Sequence, residues 1–498
     1  MPGGHDHAGV SPLSPGPAAS PAAPAGGGVP DGSVISSPAP QLIAAPAQPG
    51  HGQGGWWSRC LAALGTLFPA PPAPPALPRT WPARLAAATS TIAAIAAAAG
   101  LLLLRQAGVP AWRTLWGEDS YVFLPQALAH PGASLLRPYA GYLQLVPRLI
   151  ADGVALLPLS DAALALAVTG ALIAAGCAVF AGHASAGHIR SRWLRAGLAA
   201  GVVLLPSAVI EVANSGVDVP WYLVFAAFWA LLWRPRTMAG RLLAAGLCFA
   251  AASAQLLVIL LAPLVLARVL VLRRWPEHAA TAGWLAGITL QLAFYTPVPE
   301  LARQGPLPAA LRFYGQHVLL AAVAGRQLAG LLQDASGPGA TLLATVAVAA
   351  GAAWMVTRGG PRLALFAITC LGLGLALSVI SAVVRGWVTA PVPASAVWFP
   401  GSRYAVVPIL LIYSAAFVSA DALLARREAG PRRWLALITL LLVLAVPWAA
   451  DFRGANLRSS YPPWPQTVSR LAGHCGHRPG AAIWVAPIRA RVSCARLE

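Results

Sequence analysis

The sequence predicts an all-α fold: a polytopic transmembrane helical bundle of about 11 spans with a large first extracytoplasmic loop. Three observations lead there. Of 498 residues, 57% are hydrophobic and only 10% are charged, against about 25% charged in soluble globular proteins. Mean hydropathy is +0.66. The 34 basic residues, all arginine, fall mainly in short gaps between long apolar runs. These values exclude a soluble enzyme, a coiled coil and a disordered chain. The lack of lysine excludes Schiff-base chemistry and a Walker phosphate loop. A pI near 11.1 raises nucleic acid as a partner. Arginines confined to inter-helix gaps argue against it, so no nucleic acid is expected.

The chain divides into three parts. Residues 1–80 are rich in Pro, Gly, Ala and Ser, cannot bury a core, and are expected to form a disordered N-terminal tail. They carry no signal-peptide apolar region at the start. Residues 81–450 are expected to form the transmembrane domain. A hydrocarbon core of about 30 Å needs about 20 apolar residues as helix. Runs of that kind occupy 85–104, 161–182, 195–212, 217–233, 242–255, 256–272, 279–297, 338–356, 363–384, 404–424 and 434–450. The 242–272 stretch is too long for one span and short for two, and Ser253, Ala254 and Gln255 mark a reversal within it. With the N-terminus inside, the inner links hold 15 Arg in 47 residues and the outer links 9 Arg in 122. The positive-inside rule thus puts the N-terminus inside and the C-terminus outside. Residues 451–498 become an extracytoplasmic tail, in which Cys475 and Cys494 are free to form a disulfide. Cys177, Cys248 and Cys370 read as small buried hydrophobes.

Only two inter-helix segments, 105–160 and 298–337, are large enough to build a site, and both are outer. The first holds the adjacent acids Glu118 and Asp119, suited to a general base or to a shared divalent cation; an acidic turn before a helix has the same pattern. Further along, Gln144, Arg148 and Asp152 recur every four residues on one helical stripe, where Arg148 and Asp152 can pair. Glu211, Asn214, Asp218, Trp221 and Tyr222 crowd a short outer turn; helix capping and an interfacial aromatic belt account for the same residues. An outer cation set follows: Arg137, Arg303, Arg312, His317, Arg326, Arg385 and Arg403. The guanidinium fork suits phosphate oxygens, and Arg403 with Tyr404 sits at the mouth of a span. Snorkelling arginines at the interface look alike in sequence. There is no GxSxG, no GxxxxGK[ST] and no GxGxxG, so neither serine-hydrolase chemistry nor a bound nucleotide is expected.

One apolar helix, then at once a long loop with an acidic pair, then many further helices: this layout resembles the glycosyltransferase C superfamily, membrane enzymes that take sugars from polyprenyl-phosphate donors. The segments "GEDSYVF" and "RPYAGYLQLVPRLIA" also resemble uncharacterised actinobacterial-type membrane proteins of this kind. The resemblance covers roughly 85–450. It implies transfer of a hexosyl or pentosyl group to a glycan or lipid acceptor of the cell envelope, at the outer face of the bacterial cytoplasmic membrane. It implies Asp119, with Glu118 beside it, as general base or metal ligand, and Asp218 or Glu211 as a further acid. Arg403, with Arg137 or Arg312, would hold the donor phosphate. Tyr139, Tyr142, Arg148, Glu211, Asn214, Trp221, His317 and Tyr404 are the remaining candidates for substrate contact. A divalent cation is a possible cofactor, and membrane lipid a partner. The acid pair is Glu-Asp where Asp-Asp or Asp-Glu is commoner, and the tail is too short for a large periplasmic domain. The other reading is a transporter or flippase for a lipid-linked or anionic substrate; it lacks the matching halves that transporters usually show.

Overall fold

The computed structural model describes residues 55–70, 80–298, 304–389, 401–425, 430–475, 482–485 and 490–494. Most of the tail expected over 1–80 lies outside these. Within it, however, α1 (Trp56–Gly65) is helical. The buried Leu67 and Phe68 follow it, and the Phe68 carbonyl accepts from Arg234 Nη1 at 3.2 Å. A short apolar anchor inside a Pro/Gly-rich tract is thus enough to dock this segment on the bundle.

α2 (Trp81–Leu103) begins with Pro82 in its first turn and runs on Ala and Leu, both strong helix formers. It is apolar all round yet largely exposed, with Ile92 at 67%. Such a surface is suited to lipid. The long loop after it carries α3 (Leu124–Ala129) and α4 (Leu145–Val154). Then come α5 (Ala162–Ala184), α6 (Arg192–Val203), the single turn α7 (Ala208–Glu211) and α8 (Val219–Leu232). α9 (Met238–Ala254) ends where Gln255 turns extended, at the expected break; a 3-10 stretch leads into α10 (Ala262–Val271). α11 (Ala279–Ala293) follows. The second long link holds α12 (Leu307–Phe313), a π-helical turn at Tyr314–Leu320, and α13 (Ala321–Ser336). Four helices complete the bundle and its margin: α14 (Pro338–Arg358), α15 (Pro361–Val384), α16 (Arg403–Leu424) and α17 (Gly430–Ala450). The C-terminal region forms α18 (Trp464–Cys475) and an antiparallel pair, β1 (Ala482–Val485) with β2 (Ala490–Ser493).

Among the described residues, five helices are long and apolar enough to cross a membrane: α2, α14, α15, α16 and the stretch Leu159–Gly187 around α5. Shorter apolar helices occupy Val219–Leu232, Met238–Ala254, Leu256–Val271 and Leu437–Ala450. The fold is that of an all-α membrane protein. Every run expected to span contains helix, but the 195–212 run is broken between α6 and α7, and α11 ends at Ala293 within the 279–297 run. Five helices, not eleven, have the length and composition of a span among the described residues.

α8 is the central strut. All fourteen of its residues are buried. Small residues bring neighbours close, as in membrane bundles, where lipid offers no hydrophobic drive between helices. A Cβ on Gly170 of α5 would lie 2.9 Å from the Ser215 carbonyl oxygen. That approach seats the 211–218 turn against α5. On the other side of α8, Gly283 and Gly287 of α11 pack on Ala245 and Ala252 of α9.

The C-terminal region is not a separate tail. Residues 451–461 lace onto the start of the first loop: Gly454 N–H donates to the Arg105 carbonyl and Ala107 N–H to the Gly454 carbonyl, each at 3.0 Å, and Val109 N–H to the Ser459 carbonyl at 2.9 Å. Arg105, fully buried, donates to the carbonyls of Val203, Leu204 and Leu205 at the end of α6 and to those of Asp451 and Phe452. Beyond this lacing, Trp464, Val468, Cys475 and Cys494 share a small core with Leu115, Trp116 and Leu159 of the first loop. Cys475 and Cys494 are disulfide-bonded.

Candidate functional site

The 211–218 turn, the first loop and the start of α16 meet at one end of α8. Glu211 builds the start of α16. Its carboxylate accepts from Gly401 N–H at 3.2 Å, Ser402 Oγ at 3.1 Å and Arg403 N–H at 3.0 Å. It thereby satisfies donors that a helix leaves open, where negative charge is favoured. Gly401 enters this turn at φ +90°, with Val388 and Tyr404 too close for a side chain. The Arg403 guanidinium then faces three carboxylates: Glu118 at 3.2 Å, Asp218 at 3.4 Å and Glu211 at 3.5 Å. Residues almost three hundred positions apart in sequence converge on one cation.

Asp119 points elsewhere. It is 2% exposed, and its Oδ2 accepts from Gly216 N–H at 3.0 Å. Ser215 Oγ lies 3.2 Å from this same oxygen and 3.1 Å from Asp218 Oδ2. A hydroxyl has one proton to donate. It can serve one carboxylate while the other carboxyl, protonated, donates back to Oγ. The environment agrees. Burial pushes the Asp119 carboxyl up to about 7, against the pull of the Arg458 charge and the Gly216 N–H. Burial likewise raises Asp218; Arg403 opposes this, and Glu118, Glu211 and Asp119 add repulsion. With both carboxyls raised by burial, Asp119, Ser215 and Asp218 are placed to share a proton behind the Arg403 cluster.

Two cavities flank the Glu118–Arg403 pair, and both residues line both. The smaller, about 320 Å³, is also lined by Tyr139, Tyr142, Gln144, Asp218, Trp221, Gln255, Arg385, Trp387 and Tyr404. Tyr139 and Tyr142 reach it from a two-residue hairpin closed by reciprocal backbone bonds of 2.9 and 3.3 Å. Its tip, Ala140 at φ 55° and Gly141 at φ 88°, has the left-handed pair of a type I′ turn. A Cβ on Gly141 would lie 2.8 Å from the Thr296 carbonyl oxygen. Trp221 meets Tyr404 edge-on with ring centres 5.2 Å apart. The larger cavity, about 560 Å³, has Trp116, Tyr121 and Glu211 on one side and Leu457, Tyr461, Trp464 and Thr467 of the C-terminal region on the other.

The structure thus gathers Glu118, Asp119, Glu211, Asp218, Arg403, Tyr139, Tyr142, Trp221 and Tyr404. Asn214 lies beside them at φ 60°, and its Nδ2 pins the turn to the Leu102 carbonyl at 2.8 Å. Other candidates lie apart. Arg137 is exposed on the first loop. Arg148 is buried, bonded through Nη1 to Gln126 Oε1 at 2.9 Å and stacked 5.2 Å over Phe123. Burial lowers its pKa to about 10, with Arg137 adding repulsion. Asp152, read as its ion-pair partner, instead accepts from Gly132 N–H and Ser134 Oγ at 3.1 Å. Arg312 is exposed on α12, at a separate cavity with Gln333 and Thr341. His317 lies in the π-helical turn with its ring 5.1 Å from Phe313, and burial lowers its pKa to about 3. None of these five lines either site cavity. Arg303 falls outside the described residues.

Sequence reasoning missed Arg458. It is buried, donates through Nη2 to the carbonyls of Ala213 at 2.9 Å and Asn214 at 3.1 Å, and lies 5.5 Å over the Trp116 ring. Burial lowers its pKa to about 10, while Asp119 and Asp218 favour its charge. A signal was present: Asn456 and Ser459 form a capping box, and Trp464 is out of place in a solvated tail.

Glu118 and Asp119 also carried the expectation of a shared divalent cation. Their oxygens have different partners, Arg403 for one and Ser215 with Gly216 for the other. Among the described residues, no cluster of three or more His, Cys, Asp or Glu side chains is arranged to hold a metal. The pair as arranged does not fit a common ion.

Fold and site define a helical membrane protein with a buried acid–arginine cluster between two cavities at one end of its bundle. No protein-family model, curated protein or solved structure matches the chain.

Proposed function

We propose that the protein is an integral membrane glycosyltransferase that moves a sugar from a polyprenyl-phosphate donor to a glycan or lipid acceptor of the cell envelope. The observation that carries this reading is the Glu118–Arg403 pair shared by two cavities. Transfer between two substrates needs a base and a cation where both substrates meet. In the step, the acceptor hydroxyl oxygen bonds to the anomeric carbon, the bond from that carbon to the phosphate oxygen breaks, and polyprenyl phosphate leaves. Glu118, the acid on both cavities, takes the hydroxyl proton. Asp218, Ser215 and Asp119 adjoin it and hold a further proton, which makes Asp119 a positioning residue.

The smaller cavity suits the phosphate. Arg385 and Arg403 both line it. Arg403 already faces three carboxylates, whereas Arg385 forms no ion pair among the described residues. Phosphate charge building in the transition state therefore falls chiefly to Arg385, and fixed charge placed where charge develops is usually the largest contribution to catalysis. A transport reading has no comparable support: α8, which runs from the 211–218 turn, is buried along its whole length.

The topology belongs to the same proposal: eleven spans in a bacterial cytoplasmic membrane, N-terminus inside, C-terminus and both cavities outside. The inner arginine excess and the Cys475–Cys494 bond support it. The test compares envelope glycans by mass spectrometry in a deletion strain complemented with wild type, Glu118→Gln or Asp119→Asn at equal expression. Wild type should restore a missing sugar, Glu118→Gln should not, and Asp119→Asn should restore it in part. A deletion strain with unchanged glycans would defeat the reading and leave transport to be pursued.

A further inference from the structure

We propose that the larger cavity is the acceptor subsite, built for an uncharged saccharide, and that the C-terminal region supplies its far wall. The inference rests on the glycosyl-transfer reading and adds to it which substrate goes where. Electrostatics separates the cavities. The smaller holds Arg385 beside Arg403. The larger has Arg403 as its one cationic lining residue among those described, already facing Glu118, Glu211 and Asp218. An anion entering there meets acids without a spare cation. A neutral polyhydroxyl meets no such penalty.

The wall has the make-up of a sugar site. Pockets that orient small ligands combine apolar and aromatic surface with a few convergent polar groups. Tyr121 and Tyr461 present part-exposed rings, 37% and 40%, for the C–H faces of a sugar. Trp116 is 5% exposed, and its indole Nε1–H has no hydrogen-bond partner. It lines the cavity as apolar surface beneath these rings. Glu118 lies on the same surface, within the cavity that would hold the hydroxyl to be deprotonated.

The far wall is rigidly held. Tyr461 N–H donates to the Arg458 carbonyl at 3.1 Å, and Arg458 is anchored on the 211–218 turn. Trp464 Nε1 donates to the Leu159 carbonyl at 2.6 Å, and the Cys475–Cys494 bond closes the small core beneath it. The saccharide site is thus formed before substrate arrives.

The test is binding to the purified full chain in detergent, followed by tryptophan fluorescence. Two probes are used: neutral tri- and tetrasaccharides released from the host envelope, and polyprenyl phosphate without sugar. Tyr461→Ala should weaken saccharide binding at least tenfold and leave polyprenyl phosphate unchanged; Tyr461→Phe should retain it. Arg385→Gln should do the reverse. Thermal midpoints matching wild type show that the variants are folded. No saccharide binding by wild type, or equal binding by Tyr461→Ala, would overturn the subsite. Saccharide binding that depends on Tyr461, without sugar transfer from a polyprenyl-phosphate sugar, would leave the subsite standing and remove the transferase reading.

Discussion

Asp119 shows how far one side chain was readable and where reading stopped. The adjacent acids after the first apolar run mark a site in sequence. Which of the two lines the cavities is set by Ser215 and Gly216, about a hundred residues away, which draw Asp119 inward and leave Glu118 on both cavities. The buried position has a pH consequence. The Asp119 carboxyl rises from 3.8 to about 7 on folding, so between those values the folded state holds more proton than the unfolded one. Stability contributed by the protonated form is full below about 4 and is lost as pH rises toward 7. Asp119→Asn cannot ionise and escapes that loss. Its thermal midpoint in detergent, relative to wild type, should increase from pH 5 to pH 8; a difference independent of pH would show that Asp119 titrates normally.

Among the elements, the hairpin that presents Tyr139 and Tyr142 is the most exacting. Ala140 sits at φ 55°, a region that costs a non-glycine residue roughly 1–2 kcal/mol. Ala140→Gly should therefore raise the thermal midpoint with donor binding kept. Gly141→Ala drives a Cβ toward the Thr296 carbonyl and Val298, and should lower both stability and polyprenyl-phosphate binding. Equal midpoints for the two variants would contradict the turn geometry. Sequence did not reveal this hairpin, because "YAGY" lacks the Asn-Gly or Asp-Gly signal that I′ turns favour. The α9–α10 break was readable, because Ser253 and Gln255 interrupt an otherwise apolar run. α1 was not, since its tract reads as a solvated tail until Phe68 is seen buried.

For the whole molecule, the fold class was legible because a membrane limits composition so strongly. The docking of the C-terminal region was not. Arg105 after α2 reads as an ordinary arginine at a membrane edge, and its carbonyl partners lie about 100 and about 350 residues away. If the proposed topology holds, a cysteine placed at Thr467 should react with a membrane-impermeant maleimide in intact cells, and one placed at Arg358 only after permeabilisation. The opposite pattern would invert the orientation.

Arg105 also makes the seating of the first loop depend on residues 451 and 452. Its guanidinium follows α2, yet two of its five carbonyl partners belong to Asp451 and Phe452. A chain that lacks these residues leaves a buried cation under-bonded and the larger cavity without one of its walls. A chain cut before Asp451 should then be degraded more readily than the full chain.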